Sequence, residues 1–317
     1  AYTSNEDQYV LAAMRSDKIS GDGYYSHKCQ NWFEKKIGCK KALMTPSCTQ
    51  ALEMAALLID VGKGDEIIMP SYTFVSTANP FVLRGATIVF VDIRPDTLNI
   101  NEALIEAAIS SRTKAIVVVH YAGVACEMDS IMKIASRHCL VVVEDAAQAM
   151  MATYKNKPLG SIGHMAAYSF HETKNFNAGE GGALVVNKKD WLERAHFIQE
   201  KGTDRRLVIK GVKSKYSWVD KGSSYLLSDI LAAMLLSQLE EEDKMKALRS
   251  NITKGYTTLF NSYVERNQLS IFKVPKNVQI NHHAFWVIFD SQENAELFMA
   301  GLREKTIYAY IGYMPLH

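Results

Sequence analysis

The sequence predicts an α/β protein with a mostly parallel central sheet, helices on both of its faces, and a smaller α+β unit at the C-terminal end. Three observations predict it. Short runs of Val, Ile and Leu with little alternation recur through the first two-thirds of the chain. Segments with helical periodicity lie between them. From about residue 250 the order changes to strand, helix, strand. Unbroken apolar runs mark strands covered on both faces, and strand–helix–strand alternation at this spacing builds parallel βαβ units.

The runs at 66–69, 87–91, 115–120 and 140–144 read as buried strands, and those at 166–170 and 183–186 flank a glycine-rich loop at 178–182. Helices are expected over 49–60, 101–109 and 129–138. In the second, Leu104, Ile105, Ala108 and Ile109 share a face; the third opens on Asp129 as its cap. A helix through Trp191, Ala195 and Ile198 ends at Gly202, and a longer one over 228–248 is interrupted by the acidic run 240–243. Pro80 falls inside a helical stretch and should kink it, since proline removes a backbone donor. The boundary between a large domain (1–249) and a small one (250–317) follows, the latter with strands at 284–289 and 308–313 and a helix at 291–305.

A formal net charge of +2 over 317 residues, with no basic block interleaved with aromatics, argues against a nucleic-acid partner. Lys35-Lys36 reads as a solvated helix end. The five cysteines are scattered and odd in number, with no Cys-x-x-Cys pair, which argues against a disulfide framework or a zinc site and points to a reducing compartment. No apolar run approaches the ~20 residues that span a bilayer, and the opening residues 1–6 lack a secretory pattern. The expectation is a cytoplasmic protein with no resident metal, whose partners are small molecules and other protein chains.

Three stretches carry chemistry. The strand at 140–144 runs into Glu144-Asp145 and then Gln148. Adjacent carboxylates at a buried strand end serve a helix dipole in most proteins. Otherwise one of them can hold a proton on a ring nitrogen. They point to opposite faces, and periodicity does not say which is which. Next, Ser169, His171, Thr173 and Lys174 precede the turn Gly179-Glu180-Gly181-Gly182. A lysine after a strand is usually a surface residue, but one in a partly dry pocket loses pKa and becomes nucleophilic. Finally, Ser47, Cys48 and Thr49 open a helix, where hydroxyls ordinarily cap and free N–H groups also bind phosphate. No dinucleotide or nucleotide-triphosphate glycine loop is present. A lysine, a carboxylate for a pyridine nitrogen, a phosphate cradle and a flat aromatic are what a pyridoxal-phosphate (PLP) enzyme needs.

These stretches resemble the DegT/DnrJ/StrS family of sugar aminotransferases, a branch of fold type I PLP enzymes. The likeness runs in order along nearly the whole chain. It covers Thr-Pro-Ser-Cys-Thr from Thr45, Gly-Asp-Glu-Ile-Ile-Met-Pro-Ser-Tyr-Thr-Phe-Val-Ser-Thr from Gly64, and Val-Glu-Asp-Ala-Ala-Gln from Val143. Ser-Phe-His-Glu-Thr-Lys-Asn from Ser169 and Gly-Ser-Ser-Tyr-Leu from Gly222 complete it. The run His120 to Asp129 is similar to the branch that makes dTDP-4-amino-4,6-dideoxygalactose for enterobacterial common antigen. The resemblance implies that Lys174 carries the cofactor as a Schiff base and that Asp145 pairs with the pyridine nitrogen. It implies that Phe74 stacks on the ring and that Gln148 lies near its hydroxyl. Ser169, with Ser47, Cys48 and Thr49, would hold the phosphate, and His171 would lie beside the reacting carbon. It also implies a homodimer with shared sites, in which Ser223 or Ser224 reaches the neighbour's phosphate, since Leu226 stands where many relatives have Asn. Relatives continue for several elements beyond the position of His317. The reaction implied moves an amine, from L-glutamate, through the pyridoxamine form to C4 of dTDP-4-keto-6-deoxyglucose. Rival readings are a C3 or gluco-specific sugar aminotransferase, or a PLP-binding regulator without turnover.

Overall fold

The computed structural model describes Thr3 and residues 5–317; Ala1, Tyr2 and Ser4, part of the opening hexapeptide, lie outside the described residues. The strands in chain order are β1 (Lys41–Thr45), β2 (Glu66–Pro70), β3 (Thr87–Val91), β4 (Thr113–Val119), β5 (Val141–Asp145), β6 (Thr153–Tyr154), β7 (Lys157–Pro158), β8 (Met165–Ser169), β9 (Gly182–Val186), β10 (Leu269–Ile271), β11 (Val278–Gln279) and β12 (Val287–Phe289). The helices are α1 (Glu6–Met14), α2 (Tyr24–Lys36), α3 (Cys48–Leu58), α4 (Asn79–Val82), α5 (Glu102–Ile105), α6 (Met128–Arg137), α7 (Leu192–Gln199), α8 (Arg205–Ile209), α9 (Asp229–Leu239), α10 (Glu242–Glu265) and α11 (Gln292–Glu304).

Seven strands form the central sheet in the order β1-β9-β8-β5-β4-β2-β3. β9 is antiparallel to both its neighbours and the remaining pairs are parallel, so β9 alone runs against the others. The carboxyl ends of β1, β8, β5, β4 and β2 therefore meet along one rim. Two apolar cores cover the sheet. One packs α2, α6 and α9 on one face; the other packs α3 and α7 on the opposite face. The central strands β4 and β5 bury Ile116, Val118 and Val142 into the first and Val117 and Val143 into the second, which is why they read as unbroken apolar runs. β10 pairs with β12 in the smaller unit, and β11 pairs with β6 of the larger one. α10 is continuous through residue 250.

Several expectations are corrected. Pro80 makes no kink: it occupies the first turn of the short α4, where its missing N–H has no intrahelical partner to lose. Asp129 does not cap α6, whose Ncap is Glu127; its carboxylate instead accepts from Lys155 Nζ at 2.5 Å. In the 101–109 stretch only Ile105 is fully buried and Leu104 turns outward, because α5 tightens into a 3₁₀ turn at Glu106–Ala108. The aromatic run 308–313 forms no strand, for it finds no ladder partner, and the strand at 284–289 is reduced to Val287–Phe289. The elements not read from the sequence include β1, the small β6–β7–β11 sheet, β10, α1, α8 and the body of α2. α7 closes at Gln199, and Gly202, at φ +74°, turns the chain back with its N–H on Phe197 O.

Candidate active site

Thr45, Gly182 and Ser169 lie abreast on β1, β9 and β8, since Gly182 is in register with both of the others. The start of α3 crosses directly over Gly182, where a β-carbon would collide with the Ser47 carbonyl carbon and the Cys48 nitrogen. The glycine is there for close backbone approach. Ser47 Oγ accepts from Gln50 N at 3.1 Å and caps α3, leaving the N–H groups of Cys48 and Thr49 without intrahelical acceptors. Ser169 Oγ adds a hydroxyl, accepting weakly from His171 N at 3.4 Å, and Thr49 Oγ1 donates to Ser76 Oγ at 2.8 Å. Free N–H groups, a positive helix end and hydroxyls converge as a phosphate dianion requires. We expect Gly182→Ala to weaken PLP binding at least about 10-fold while destabilising the fold by about 1–3 kcal/mol. Cofactor titration and thermal melts check it; unchanged affinity would sink this account of the cradle.

The two carboxylates at the end of β5 have separate tasks. Glu144 is fully buried and faces inward. It accepts from Gly160 N at 2.7 Å, Ile162 N at 2.9 Å and Gly163 N at 2.5 Å, and from His120 Nε2 at 2.9 Å. His120 Nδ1 accepts from Cys126 N, which leaves Nε2–H as the donor to Glu144. Glu144 is thus saturated by the loop that connects β7 to β8. Asp145, 6% exposed, points the other way, toward the rim. Thr77 Oγ1 donates to its Oδ2 at 2.7 Å and Ala147 N to its Oδ1 at 3.1 Å. Thr73 Oγ1 in turn lies 2.7 Å from Thr77 Oγ1. Burial pushes the Asp145 carboxyl above the usual carboxylate range; the Thr77 and Ala147 hydrogen bonds and the positive field of Lys174 oppose it without cancelling it.

Lys174 follows β8 on the same rim. Among the described residues no carboxylate lies within ion-pair distance of its amine. Burial lowers its pKa, with Asp145 and Cys48 pulling the other way. His171 is half-exposed, its Nδ1 3.0 Å from Thr173 Oγ1 and 3.3 Å from Thr173 N, and its Nε2 3.7 Å from Glu180 Oε1. It stands on the rim, turned toward the glycine loop. Gln148 Oε1 accepts from Ala122 N at 2.6 Å and Nε2 donates to Tyr313 Oη at 2.9 Å. Phe74, 56% exposed, has its ring 6.1 Å from that of Tyr313. Ser223 and Ser224 are exposed in the segment between α8 and α9, where Ser223 makes backbone bonds to Ile198 and Lys201; among the described residues they join no side chain of this cluster.

Four residues of this neighbourhood were not singled out in the sequence. Thr77 is the second anchor of Asp145. Tyr313 packs among Tyr72, Tyr121 and Phe74, and burial with the nearby Asp145 charge raises its pKa. Asn281 and His283 approach from the smaller unit. Only Thr77 left a signal, in the hydroxyl-rich run from Ser71.

The residues fit PLP. Asp145 is buried without a cation in contact and uses two of its roughly four acceptor sites, so a pyridinium N–H would relieve it. Lys174 is a partly buried amine whose pKa desolvation lowers, and the Gly182 cradle would be filled by any β-carbon.

Comparison with known proteins agrees. The profile of the DegT/DnrJ/EryC1/StrS aminotransferase family matches residues 1–317. The chain is 35% identical over 315 residues to the uncharacterized protein MJ1066 of Methanocaldococcus jannaschii, covering 97% of this chain and 80% of that one. It is 38% identical over 252 residues to GDP-perosamine synthase of Caulobacter vibrioides, covering 80% of this chain and 66% of that one, just under two-thirds of its length. The fold matches the PLP form of a Streptococcus pneumoniae protein described as a sugar aminotransferase, Spr1654. That match has a TM-score of 0.91 at 25% identity over 100% of this chain and 84% of the other. With its profile spanning the chain and its fold shared with a PLP form, the chain belongs to the DegT/DnrJ/EryC1/StrS aminotransferase family and is a PLP-dependent enzyme.

Proposed function

We propose that the protein transfers an amino group from L-glutamate to C4 of dTDP-4-keto-6-deoxyglucose, giving dTDP-4-amino-4,6-dideoxygalactose, as a cytoplasmic homodimer. The observation that carries the amino-transfer reading is Lys174, a partly buried amine of lowered pKa with no carboxylate within ion-pair distance among the described residues, on the same rim as the buried Asp145. PLP, when bound, supplies an aldehyde to carry the amine and a ring to take up the electrons of a broken C–H bond.

The chain's own residues do the rest. Cys48 and Thr49 N–H groups and Ser169 Oγ hold the phosphate, with Ser47 capping the helix that presents them. Asp145 Oδ keeps a proton on the ring nitrogen, and Thr77 and Ala147 fix its angle. Lys174 Nζ takes a proton from one carbon and returns it to another. Gln148 holds the ring's hydroxyl side, Phe74 covers the ring, and His171 faces the incoming sugar. Ser223 and Ser224, exposed and unengaged by this chain's own site, reach the phosphate pocket of a second copy. The smaller unit, from residue 250, closes the other side.

A sugar rather than a keto acid is favoured by the arginines. Small keto-acid transaminases clamp substrate carboxylates with fixed, bidentate arginine. Arg205 is more than half exposed and lies 3.9 Å from Glu200 instead. A GDP-linked keto sugar is the second reading, favoured by the identity with GDP-perosamine synthase. With glutamate as donor, kcat/KM for the dTDP-linked ketone should exceed that for oxaloacetate or pyruvate by at least about 100-fold, with NMR of the product fixing C4 and its configuration. Oxaloacetate matching the sugar would overturn the proposal, and a GDP-linked ketone outrunning the dTDP-linked one would select the second reading.

A further inference from the structure

Asn175, the residue after Lys174, is buried and tied to the smaller unit by both ends of its amide. Its Nδ2 donates to Asn281 O at 2.9 Å, and its Oδ1 lies 2.8 Å from His283 Nδ1. An amide oxygen offers only lone pairs, so His283 Nδ1 carries the proton and Nε2 is left as the unprotonated nitrogen. The strap at 281–283 is itself fixed from several directions. Asn281 Nδ2 donates to Gln148 O and Met150 O, each at 2.8 Å, and its Oδ1 accepts from His283 N at 3.1 Å. Gly123 lies so close to that Oδ1 that a β-carbon would overlap it. Arg249 Nη1 on α10 reaches His282 O and His283 O at 3.4 and 3.3 Å. Just before the strap, β11 is paired to β6.

We propose that Asn175 and His283 are positioning residues for amino transfer: through them the strap fixes the turn that carries Lys174 and keeps its amine in dry surroundings. The proposal rests on Lys174 being the cofactor lysine. The charged and titratable groups around the pair are Asp145 from β5 and Cys48 from α3, which act on Lys174, and Arg249 from α10, which acts on His283. Burial, with Lys174 and Arg249 adding to it, holds the His283 imidazole at about 3, so it stands beside the lysine as an uncharged wall. A neutral, immobile imidazole excludes water without neutralising the amine.

The test is the pH dependence of acylation of Lys174 by acetic anhydride, read by mass spectrometry on the cofactor-free full chain. His283→Leu and Asn175→Leu should each raise the half-point by about one unit, so that labelling near pH 8 falls roughly 10-fold. The double variant should go no further, because both substitutions cut the same tie. His283→Asn, which returns an N–H near the place of Nδ1, should restore the wild-type profile. In the loaded enzyme the same variants should lower kcat and leave KM for the sugar nearly unchanged. An unchanged half-point in both single variants, shifts that add in the double, or failure of His283→Asn to restore, overturns the proposal. If a leucine variant loses its thermal transition, Asn175→Ser, which removes the amide's contacts with Asn281 O and His283 Nδ1 without adding a charge beside Lys174, carries the same measurement. Borohydride trapping of the cofactor on a different lysine would instead remove the reading beneath it, and the two failures are distinguishable.

Discussion

Lys174→Ala should abolish the visible absorbance of the bound cofactor and lower turnover by at least about 10³-fold. Two losses combine. The amine that attaches the cofactor disappears, and so does the group proposed to move protons between carbons. The remaining attachments are untouched, because the Ser47–Thr49 helix start and Ser169 belong to other elements. PLP should therefore still bind, without a covalent link. Borohydride treatment and peptide mapping check it: the native chain should be labelled at Lys174 and the variant nowhere. The pKa shift makes the lysine a suitable nucleophile. Burial lowers it below an ordinary lysine, so the neutral form is reached at a lower pH than for a surface amine. A variant still reducibly labelled on some other lysine would move the role there.

Asp145→Asn should lower turnover by about 10²–10⁴-fold with PLP still bound, since a neutral ring is a poor sink for electrons. Stability should move the other way. Burial raises the Asp145 pKa, so the ionised side chain is penalised in the folded state, and that penalty disappears as pH falls and the carboxyl protonates. The cofactor-free Asn variant should then melt at or above the native chain near pH 8, with the gap closing toward acid pH. Glu144→Gln should do the reverse, costing about 2–3 kcal/mol of stability, because an amide NH₂ would face donors already aimed at Glu144. Once folded, that variant should keep most of its activity. Melting curves beside kcat for both variants decide it; a crippled but stable Glu144→Gln enzyme would reverse the assignment.

The strands of the sheet interior were legible because both their faces are covered, so β2, β4, β5 and β8 appear as apolar runs wherever they are read. β1 was not, since Lys-Ala-Leu-Met-Thr is short and carries no β-branched run; its place depends on β9, far along the chain. The aromatic stretch 308–313 has strand composition but packs as an irregular segment whose Tyr313 meets Tyr72 and Tyr121. At the site, the motifs pointed to Lys174, the Glu144-Asp145 pair and the α3 start. They could not separate the two carboxylates, which differ only in the face each side chain takes. Thr77, His283 and Asn281 matter through tertiary contacts, and single-sequence patterning has no means of pairing residues so far apart.

The reversed strand β9 also has a consequence for how the chain folds. β1 precedes the other six strands of the sheet in the chain and joins it only beside β9, the last of the seven. Such pairing is entropically late, because a long loop must close before it is rewarded. Until then Thr45 and the α3 start have no Gly182 to lie against, and no phosphate cradle exists. A chain emerging from the ribosome should thus remain unable to capture PLP until β9 has cleared the exit tunnel. Cofactor capture during refolding would then report the slow closing event rather than early collapse.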